Sequence, residues 1–309
     1  MNKTITVIGS SNVDMIMKMD KLPRLGETVT DAEYLQVYGG KGANTAVGAA
    51  RAGGNVFFVN CVGDDIFSGP MVENFKKDGI NTDFIFKEKG ISSGTALIMV
   101  GGKGENYLSV APGANYRLTP AYVDKARKVI EDAEIVIIQN EIPIETISYI
   151  IDFASSLGKK ILYNYAPAKP FPGIDLKKIE FLVVNETEAE FLSGQKVVED
   201  SEIEKAAMIL ADRGAANVII TLGARGSYIY SGSIKIYLPA FRVNAIDSTA
   251  AGDIYCGSLA VALTEEMNLK EAVRFAGAAS AISVTRLGAQ PSAPLRHEID
   301  AFLLQNSIS

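Results

Sequence analysis

Residues 247–253, Asp-Ser-Thr-Ala-Ala-Gly-Asp, form a turn of small residues that runs directly into an apolar helical segment. Small residues let backbone N–H groups approach a ligand, and the first turn of a helix favours negative charge. Asp253 falls in that turn, where its carboxylate could hold a nucleophilic hydroxyl group beside a bound anion. An acidic residue at a helix start is also common as a favourable charge only. The segment alone therefore leaves phosphoryl transfer and simple helix stabilisation both open.

A second cluster of glycines lies far upstream at residues 39–44, Gly-Gly-Lys-Gly-Ala-Asn, between a strand-like segment and the Ala-rich residues 46–52. Two such loops suggest the two halves of one cleft. The cluster is not a P-loop, because it lacks the glycine five residues before Lys41 and the following Ser or Thr. No Gly-x-Gly-x-x-Gly follows the first predicted strand either, which argues against a dehydrogenase.

The composition is that of an ordinary globular enzyme: 309 residues, 48% hydrophobic and 21% charged, enough for a large core. The net charge of −6 with interspersed signs argues against a nucleic-acid partner and favours small molecules. No apolar run approaches the roughly 20 residues of a membrane helix, and the N-terminus lacks the pattern of a signal peptide. We expect a cytoplasmic protein without a membrane partner.

The sequence holds two cysteines and one histidine. Cys61 and Cys256 are too few for a disulfide framework and lack zinc-ligand spacing, so both are expected to be reduced. Cys61 falls in a predicted core strand. Cys256 follows Asp253 by three residues and could line the site, although a small buried apolar residue is the simpler interpretation. His297 is predicted at the surface, which excludes histidine acid–base chemistry and histidine metal sites.

The elements that must position these loops alternate between β-branched runs and helical patterns. Such alternation predicts a doubly wound, parallel α/β sheet with its ligand crevice at the carboxyl ends of the strands. We find no repeat or linker, so residues 1–309 are predicted to form a single domain. The predicted strands are 4–9, 55–62, 135–139, 160–164, 181–185 and 218–222. The predicted helices are 145–157, 202–213 and 269–286, with another capped by Thr119 and Pro120.

Two regions break this rhythm with period-two patterns and no intervening helix: residues 13–19 with 33–37, and 95–100 with 106–110. These patterns predict antiparallel pairs. We interpret segments 13–38 and 94–110 as a small β lid over the crevice, although an edge extension without a gating role stays open. Met15, Met17 and Met19 alternate with Ile16 and Lys18, and an apolar face on such a flap predicts a homodimer through the lid.

Three ordered motifs resemble those of the PfkB-type, or ribokinase-like, family of carbohydrate kinases, and the resemblance covers essentially the whole chain. Residues 39–44 resemble the first family signature and residues 247–253 the second, Asp-Thr-x-Gly-Ala-Gly-Asp. Between them, residues 185–188 fit the Asn-x-x-Glu motif of the family. Further matches lie at 9–14, 164–168, 221–226 and 285–292. The resemblance implies a three-layer α/β/α fold, mostly parallel, with a small antiparallel β lid.

The resemblance also implies transfer of the γ-phosphoryl group of ATP to the primary hydroxyl of a sugar, with D-ribose giving ribose 5-phosphate as the first choice. Another acceptor in the same family, 2-deoxyribose or a nucleoside such as pseudouridine, is the alternative. A noncatalytic sugar-binding regulator is the alternative from a different class, but it would be expected to have lost Asp253. Ile254, Tyr255 and Cys256 stand where the family usually shows Thr-Phe-Asn, and Tyr165 replaces a proline. These departures concern the identity of the sugar more than the reaction.

The resemblance assigns roles to individual residues. Asp253 is the implied base, and the N–H groups of Ala250, Ala251 and Gly252 form the implied anion hole. The implied sugar-binding residues are Asn12, Asp14, Gly40, Lys41, Asn44, Glu141 and Asp253. Asn12 and Asp14 are two apart on an extended segment, so they share a face, although turn chemistry after the first strand would also explain them.

The remaining implied roles concern the nucleotide and the cations. The residues implied to bind ATP and its Mg²⁺ are Asn185, Glu188, Thr221, Gly223, Gly226 and Gly252. Glu188 could instead be a plain charge at a helix start. A monovalent cation site, for K⁺, is implied beside the anion hole. Its implied ligands are the Asp247 side chain, the carbonyl groups of Thr249, Ser283, Arg286 and Gly288, and Ser292.

Overall fold

A computed structural model describes residues 3–232 and 234–306. Within these ranges the strands are β1 (Thr4–Ile8), β2 (Asn12–Lys18), β3 (Glu33–Gly39), β4 (Asn55–Gly63), β5 (Ile85–Glu88), β6 (Gly94–Val100), β7 (Asn106–Ala111), β8 (Ala133–Ile138), β9 (Lys160–Asn164), β10 (Phe181–Asn185), β11 (Asn217–Thr221), β12 (Ser227–Ser231) and β13 (Ile234–Leu238). The α-helices are α1 (Lys41–Arg51), α2 (Ser68–Lys77), α3 (Pro120–Lys125), α4 (Arg127–Glu131), α5 (Ile144–Ser156), α6 (Glu186–Ser193), α7 (Asp200–Asp212), α8 (Ala251–Thr264), α9 (Leu269–Ser283) and α10 (Arg296–Gln305).

The main sheet has nine strands in the order β13-β12-β11-β10-β9-β8-β1-β4-β5. The pairs from β11 to β5 are parallel, and β12 and β13 add an antiparallel edge beside β11. The chain leaves β1 toward β4 on one side and later returns to β8 on the other. This reversal of strand order opens a crevice at the carboxyl ends of β1 and β8, where α/β proteins commonly bind ligands.

Helices cover both faces of the main sheet, so the molecule has three layers. Alternate strand residues face opposite sides, with Ile5 and Val7 in one apolar core and Ile8 in the other. Helices α1, α2, α8, α9 and α10 contribute to the first core, and α3 to α7 to the second. This arrangement confirms the predicted doubly wound α/β fold.

The contact between α1 and α8 places the two glycine-containing loops side by side. A Cβ atom at Gly257 would lie 2.4 Å from the carbonyl oxygen of Thr45, and one at Gly48 would lie 2.9 Å from the Cα atom of Ile254. Glycine at both positions therefore lets the two helix backbones approach closely. Since α8 is buried over most of its length, its apolar sequence is explained by burial on all sides.

The four remaining strands form a separate sheet in the order β3-β2-β6-β7. The antiparallel pairs β2 with β3 and β6 with β7 are those that the period-two patterns predict. The two pairs are joined by parallel pairing of β2 with β6, which the sequence patterns did not predict. We call this sheet the lid sheet. Its exposed apolar side chains include Tyr34, Leu35, Leu97, Tyr107 and Leu108.

Most predicted element boundaries agree with the structure to within two residues, and strands 160–164 and 181–185 agree at both ends. The prediction of a helix over 269–286 is wrong at its end, because α9 stops at Ser283. The carbonyl oxygen of Val284 accepts hydrogen bonds from the N–H groups of Ile246 (2.7 Å) and Asp247 (3.1 Å), which ties the chain into a turn there. Over the described ranges, no helix has both the length and the apolar character needed to cross a bilayer.

Candidate active site

The predicted site residues converge where the carboxyl ends of the central strands meet the N-termini of α1 and α8. Residues that follow β1, β8, β9, β10 and β11 all reach this edge of the sheet. The crevice holds a cavity of about 180 Å³ and an adjoining cavity of about 620 Å³. Asn185, Thr221, Ser248, Ala251 and Gly252 line both cavities. The edge of the sheet thus offers two connected compartments.

Asp253 lines the smaller cavity from the first turn of α8, and its side chain is buried. Its Oδ2 atom accepts a hydrogen bond from Asn44 Nδ2 at 3.0 Å, and its Oδ1 atom accepts one from Asn164 Nδ2 at 3.1 Å. Burial raises the pKa of Asp253, while the positive charge of Lys41 and these two amides act in the opposite direction. The structure therefore holds a carboxylate in a fixed orientation and makes it a stronger base than an exposed aspartate.

Lys41 begins α1 and lines the smaller cavity together with Asp253 and Glu188. The charge of Asp253 raises the pKa of Lys41, and the charges of Glu141 and Glu188 add to this effect against the cost of burial. Lys41 therefore stays protonated and brings the positive charge to a cluster of three carboxylates.

The start of α8 presents backbone N–H groups to the same cavity. Ala250 precedes the helix in the left-handed conformation (φ 61°), which turns the chain abruptly into α8. Within the described residues, no protein group accepts a hydrogen bond from the N–H groups of Ala250 or Gly252, whereas Ala251 donates to the carbonyl oxygen of Ser248 at 3.2 Å. Two of the three amides of the predicted anion hole are thus unpaired.

Glu141 joins the first glycine loop to the end of β8. Its Oε2 atom accepts hydrogen bonds from Ser10 Oγ (2.6 Å) and from the backbone N–H of Lys41 (3.0 Å). Ser10 Oγ also accepts a hydrogen bond from the N–H of Gly42 at 3.3 Å. Gly40 adopts φ 90°, and a Cβ atom there would lie 2.7 Å from the Cα atom of Ser11, so this loop requires glycine.

Asn12 and Asp14 lie on β2 at the base of the lid sheet, with Asn12 paired opposite Gly39 and Gly94. A Cβ atom at Gly39 would lie 2.1 Å from Asp14 Oδ2, so this glycine makes room for the carboxylate. Burial, assisted by the charge of Glu141, raises the pKa of Asp14 to about 7. Neither Asn12 nor Asp14 lines the two cavities, so the structure places them on the lid side of the crevice.

On the other side of Asp253, Asn185 and Glu188 cap α6 reciprocally. Asn185 Oδ1 accepts from the N–H of Glu188, and Glu188 Oε2 accepts from the N–H of Asn185, both at 2.9 Å. Both residues still line the smaller cavity, and burial raises the pKa of Glu188. The two residues therefore have a structural role in addition to any contact with a ligand.

The larger cavity is lined mostly by small and apolar residues, together with the charged residues Glu186, Arg242 and Arg274. Thr221, Gly223 and Gly226 line one wall, and Gly226 adopts φ 104°. A Cβ atom at Gly226 would lie 2.0 Å from the carbonyl oxygen of Leu238, so this position also requires glycine. The remaining lining residues include Leu238, Pro239, Phe241, Val243, Val273 and Val284.

Three of the predicted cation ligands, Asp247, Thr249 and Gly288, come into contact through Asp247, just before the start of α8. Asp247 Oδ1 accepts from the N–H and hydroxyl groups of Thr249 (2.9 and 2.6 Å), and Oδ2 accepts from the N–H of Gly288 (2.9 Å). Although burial opposes them, these hydrogen bonds hold the pKa of Asp247 below its usual value. The guanidinium group of Arg286 instead pairs with Glu298 at 2.6 Å. Ser283 and Ser292 donate their hydroxyl groups to the carbonyl oxygens of Ser280 and Ala289.

Sequence reasoning assigned no role to several polar residues of this network. Asn164 ends β9 and holds Asp253, and its position at the carboxyl end of a parallel strand was a usable signal. Ser10 holds Glu141, and Asn115 holds Asn12, each through a hydrogen bond. The partners in each pair lie more than 100 positions apart, and the sequence offers no signal for such pairs.

Cys61 and Cys256 are both buried, and they do not form a disulfide with each other. His297 is exposed, as predicted.

Comparison with known proteins identifies the family of the chain. Residues 2–296 match the model of the pfkB family carbohydrate kinases. The chain is 39% identical over 303 residues to a ribokinase of Haemophilus influenzae, covering 98% of this chain and 99% of that protein. It is 36% identical over 305 residues to a deoxyribokinase of Salmonella typhi, covering 98% and 99%. An Arabidopsis thaliana ribokinase structure with ribose and ATP matches with a TM-score of 0.93 at 29% identity, covering 98% and 99%.

The chain therefore belongs to the pfkB family of carbohydrate kinases. Its fold is the ribokinase-like α/β fold, with the large sheet and the small lid sheet described above.

Proposed function

We propose that this carbohydrate kinase transfers the γ-phosphoryl group of ATP to the 5-hydroxyl group of D-ribose, giving D-ribose 5-phosphate and ADP. The observation that carries the proposal is the position of Asp253, a buried carboxylate held by two amides, which lines the smaller cavity together with the unpaired backbone N–H groups of Ala250 and Gly252. The full-length similarity to a ribokinase supports ribose as the acceptor. The presence of the base disfavours a noncatalytic sugar-binding regulator.

On the acceptor side, Asp253 orients the 5-hydroxyl group and takes its proton as the bond to phosphorus forms. The carboxylate does not need to ionise the hydroxyl group beforehand, since the proton can move as the bond to phosphorus forms. Asn44 and Asn164 prevent rotation of the carboxylate. The other hydroxyl groups of the sugar contact Asn12, Asp14, Glu141 and the loop of Gly40 and Lys41.

On the phosphoryl side, the N–H groups of Ala250 and Gly252 bind the oxygens that carry the developing charge, and the dipole of α8 adds to this. Ala251 joins them when its hydrogen bond to Ser248 is released. Lys41 offsets negative charge between donor and acceptor. The nucleotide occupies the larger cavity, where Thr221, Gly223 and Gly226 bring the backbone close to it.

Two cations fit the residues present. Within the described ranges, no three His, Cys, Asp or Glu residues form a ready metal cluster, so Mg²⁺ would be held mainly by phosphates, with Asn185 and Glu188 nearby. Mg²⁺ would offset phosphate charge. K⁺ suits the Asp247 loop, because within the described ranges the carbonyl groups of Thr249, Arg286 and Gly288 accept no hydrogen bond. The Ser283 carbonyl already accepts one from Arg286 N at 3.0 Å.

A panel of acceptors tests the proposal through ADP release with ATP and Mg²⁺, with and without K⁺. D-ribose, 2-deoxyribose, pseudouridine and fructose 6-phosphate are compared. We expect the highest kcat/KM with ribose and stimulation by K⁺. Absence of turnover with every acceptor would overturn the kinase proposal.

A second acceptor, 2-deoxyribose, is favoured by one observation, the 36% identity to a deoxyribokinase over the same length. The catalytic arrangement would be unchanged, and only the contact at the 2-position would differ. A higher kcat/KM for 2-deoxyribose than for ribose in the same panel would replace the first proposal by this one.

We propose that the lid sheet also forms the contact of a homodimer. Its exposed apolar side chains include Leu97 (53% exposed), Tyr107 (62%) and Leu108 (61%), more than a sheet in a monomer usually leaves uncovered. Leu108→Asp is expected to convert a dimer to a monomer in light scattering after size-exclusion chromatography. Ile66→Asp, at an even more exposed residue outside the lid sheet (82% exposed), is the control. A monomeric parent protein would refute this proposal.

A further inference from the structure

Behind the predicted sugar residues lies a buried cluster of amides that includes Asn115, in a 3-10 turn at Gly113–Arg117. We infer that Asn115 is a positioning residue that forces Asn12 to present an N–H donor, rather than a carbonyl oxygen, to the sugar hydroxyl group that it contacts. The family resemblance implies that this is the 2-hydroxyl group. The inference rests on the proposed function, since it concerns recognition of the acceptor at the same site.

The orientation of the Asn115 amide is fixed by two backbone groups whose roles are not interchangeable. Its Oδ1 atom accepts from the N–H of Ser11 at 2.9 Å, and its Nδ2 atom donates to the carbonyl oxygen of Ser11 at 3.1 Å. Rotating the amide by 180° would set donor against donor and acceptor against acceptor. The Nδ2 atom of Asn115 is therefore identified by its partners.

The same Nδ2 atom donates a second hydrogen bond, to Asn12 Oδ1 at 2.8 Å. Because the atom of Asn12 that meets this donor must be an acceptor, the amide of Asn12 is fixed as well. Within the described ranges, no group accepts a hydrogen bond from Asn12 Nδ2, and that atom is not among the buried, unpartnered ones. Its N–H group is left for a ligand.

The absence of a side chain at Gly94 makes room for this pair of amides. A Cβ atom at Gly94 would lie 2.2 Å from both Asn115 Nδ2 and Asn12 Oδ1. Ser11 is held from the other side, since its hydroxyl group donates to Asn60 Oδ1 at 2.7 Å, and Asn60 Nδ2 donates to the carbonyl oxygen of Gly9 at 2.7 Å. The polarity of the contact to the sugar is thus built into the protein before any ligand binds.

A fixed donor distinguishes substituents by their ability to accept a hydrogen bond. A 2-hydroxyl group accepts, fluorine accepts weakly, and a 2-deoxy carbon leaves the N–H of Asn12 unpaired. We expect kcat/KM to fall about tenfold from ribose to 2-deoxyribose, with 2-deoxy-2-fluororibose between them.

The test measures the ratio of kcat/KM for 2-deoxy-2-fluororibose to that for 2-deoxyribose, at pH 8. In Asn115→Asp the introduced carboxylate only accepts, so the amide of Asn12 turns and presents Oδ1 to the sugar. Fluorine then meets an oxygen, and the ratio is expected to fall from above one to below one. Asn60→Asp is the matched control, because it removes a buried amide donor from the same cluster without touching Asn12.

Thermal denaturation first verifies that both variants are folded. If Asn115→Asp does not fold, Asn115→Leu replaces it, and a ratio near one is expected because the amide of Asn12 is no longer fixed. An unchanged ratio in the Asn115 variant, an equal change in Asn60→Asp, or a parent ratio of one or less would overturn the inference. If the parent enzyme phosphorylates none of the pentoses, the proposed function itself fails, a result distinct from an unchanged ratio.

Discussion

The two sides of Asp253 are built in different ways. On the lid side, charged and amide side chains hold one another through hydrogen bonds between distant parts of the chain, such as Ser10 to Glu141 and Asn115 to Asn12. On the other side, the larger cavity is lined mostly by apolar side chains and by backbone at Gly223 and Gly226, with three charged residues, Glu186, Arg242 and Arg274, in its wall. Interlocked polar side chains discriminate between ligands, because each mismatch leaves a buried group unpaired. A wall of backbone and apolar groups selects by shape.

The largest effect is expected at the junction of the two sides. Asp253→Asn should lower kcat about 1000-fold or more, because the base is lost while the shape of the site is kept. Steady-state ADP release measures this. Ser258→Ala, which removes a buried, unpartnered hydroxyl group from the same helix, is the control and should retain kcat. Substantial activity of Asp253→Asn would mean that another group takes the proton.

The next largest effect concerns the side chains that hold the base. Asn44→Leu should lower kcat about 10- to 100-fold, since a hydrogen bond to a charged carboxylate is lost. That bond lowers the pKa of Asp253, so its removal should raise this pKa and shift the acid limb of the kcat–pH profile to higher pH. Thr45→Val removes a buried, unpartnered hydroxyl from the neighbouring position and should shift nothing. A limb that moves to lower pH would contradict the assigned contact.

On the nucleotide side, the contrast between two glycines tests the importance of backbone shape. Gly226→Ala should raise KM for ATP about tenfold, because a Cβ atom would overlap the carbonyl oxygen of Leu238. Gly223 also has positive φ but no atom within 4 Å of a Cβ position, so Gly223→Ala should cost only about 1 kcal/mol of stability. The KM for ribose should be unchanged in both. Equal effects of the two variants on KM for ATP would argue against overlap with the Leu238 carbonyl as the cause.

The smallest effect is a pH dependence on the sugar side. Because the pKa of Asp14 is raised to about 7, the carboxylate is charged above that pH and protonated below it. KM for ribose should therefore rise a few-fold as the pH falls from 8 to 6, and Asp14→Asn should abolish this dependence. In Glu141→Gln the neighbouring charge is lost, so the midpoint should move to lower pH. A midpoint that stays in place would show that Glu141 does not act on Asp14.

The sequence was most informative where a local pattern matched a local structure. Strands 160–164 and 181–185 and the acidic helix start at Asp253 follow from alternation and small residues alone. The edge strands β12 and β13 were missed, and so was the parallel pairing of β2 with β6, because register between distant segments is set by packing. The amides around Asp253 were identified only in part for the same reason.

The amino-acid sequence by itself determined the fold class, the two loops and the residue types that they carry, since turns, helix starts and strand periodicity are local properties. Family resemblance extended this to individual site residues. Only the tertiary structure decided which polar atoms meet: that Asn164 holds Asp253, that Ala251 donates to Ser248, and that Asn115 sets the direction of the Asn12 amide. The physical reason is that hydrogen-bond polarity depends on where donors and acceptors from distant segments are packed together.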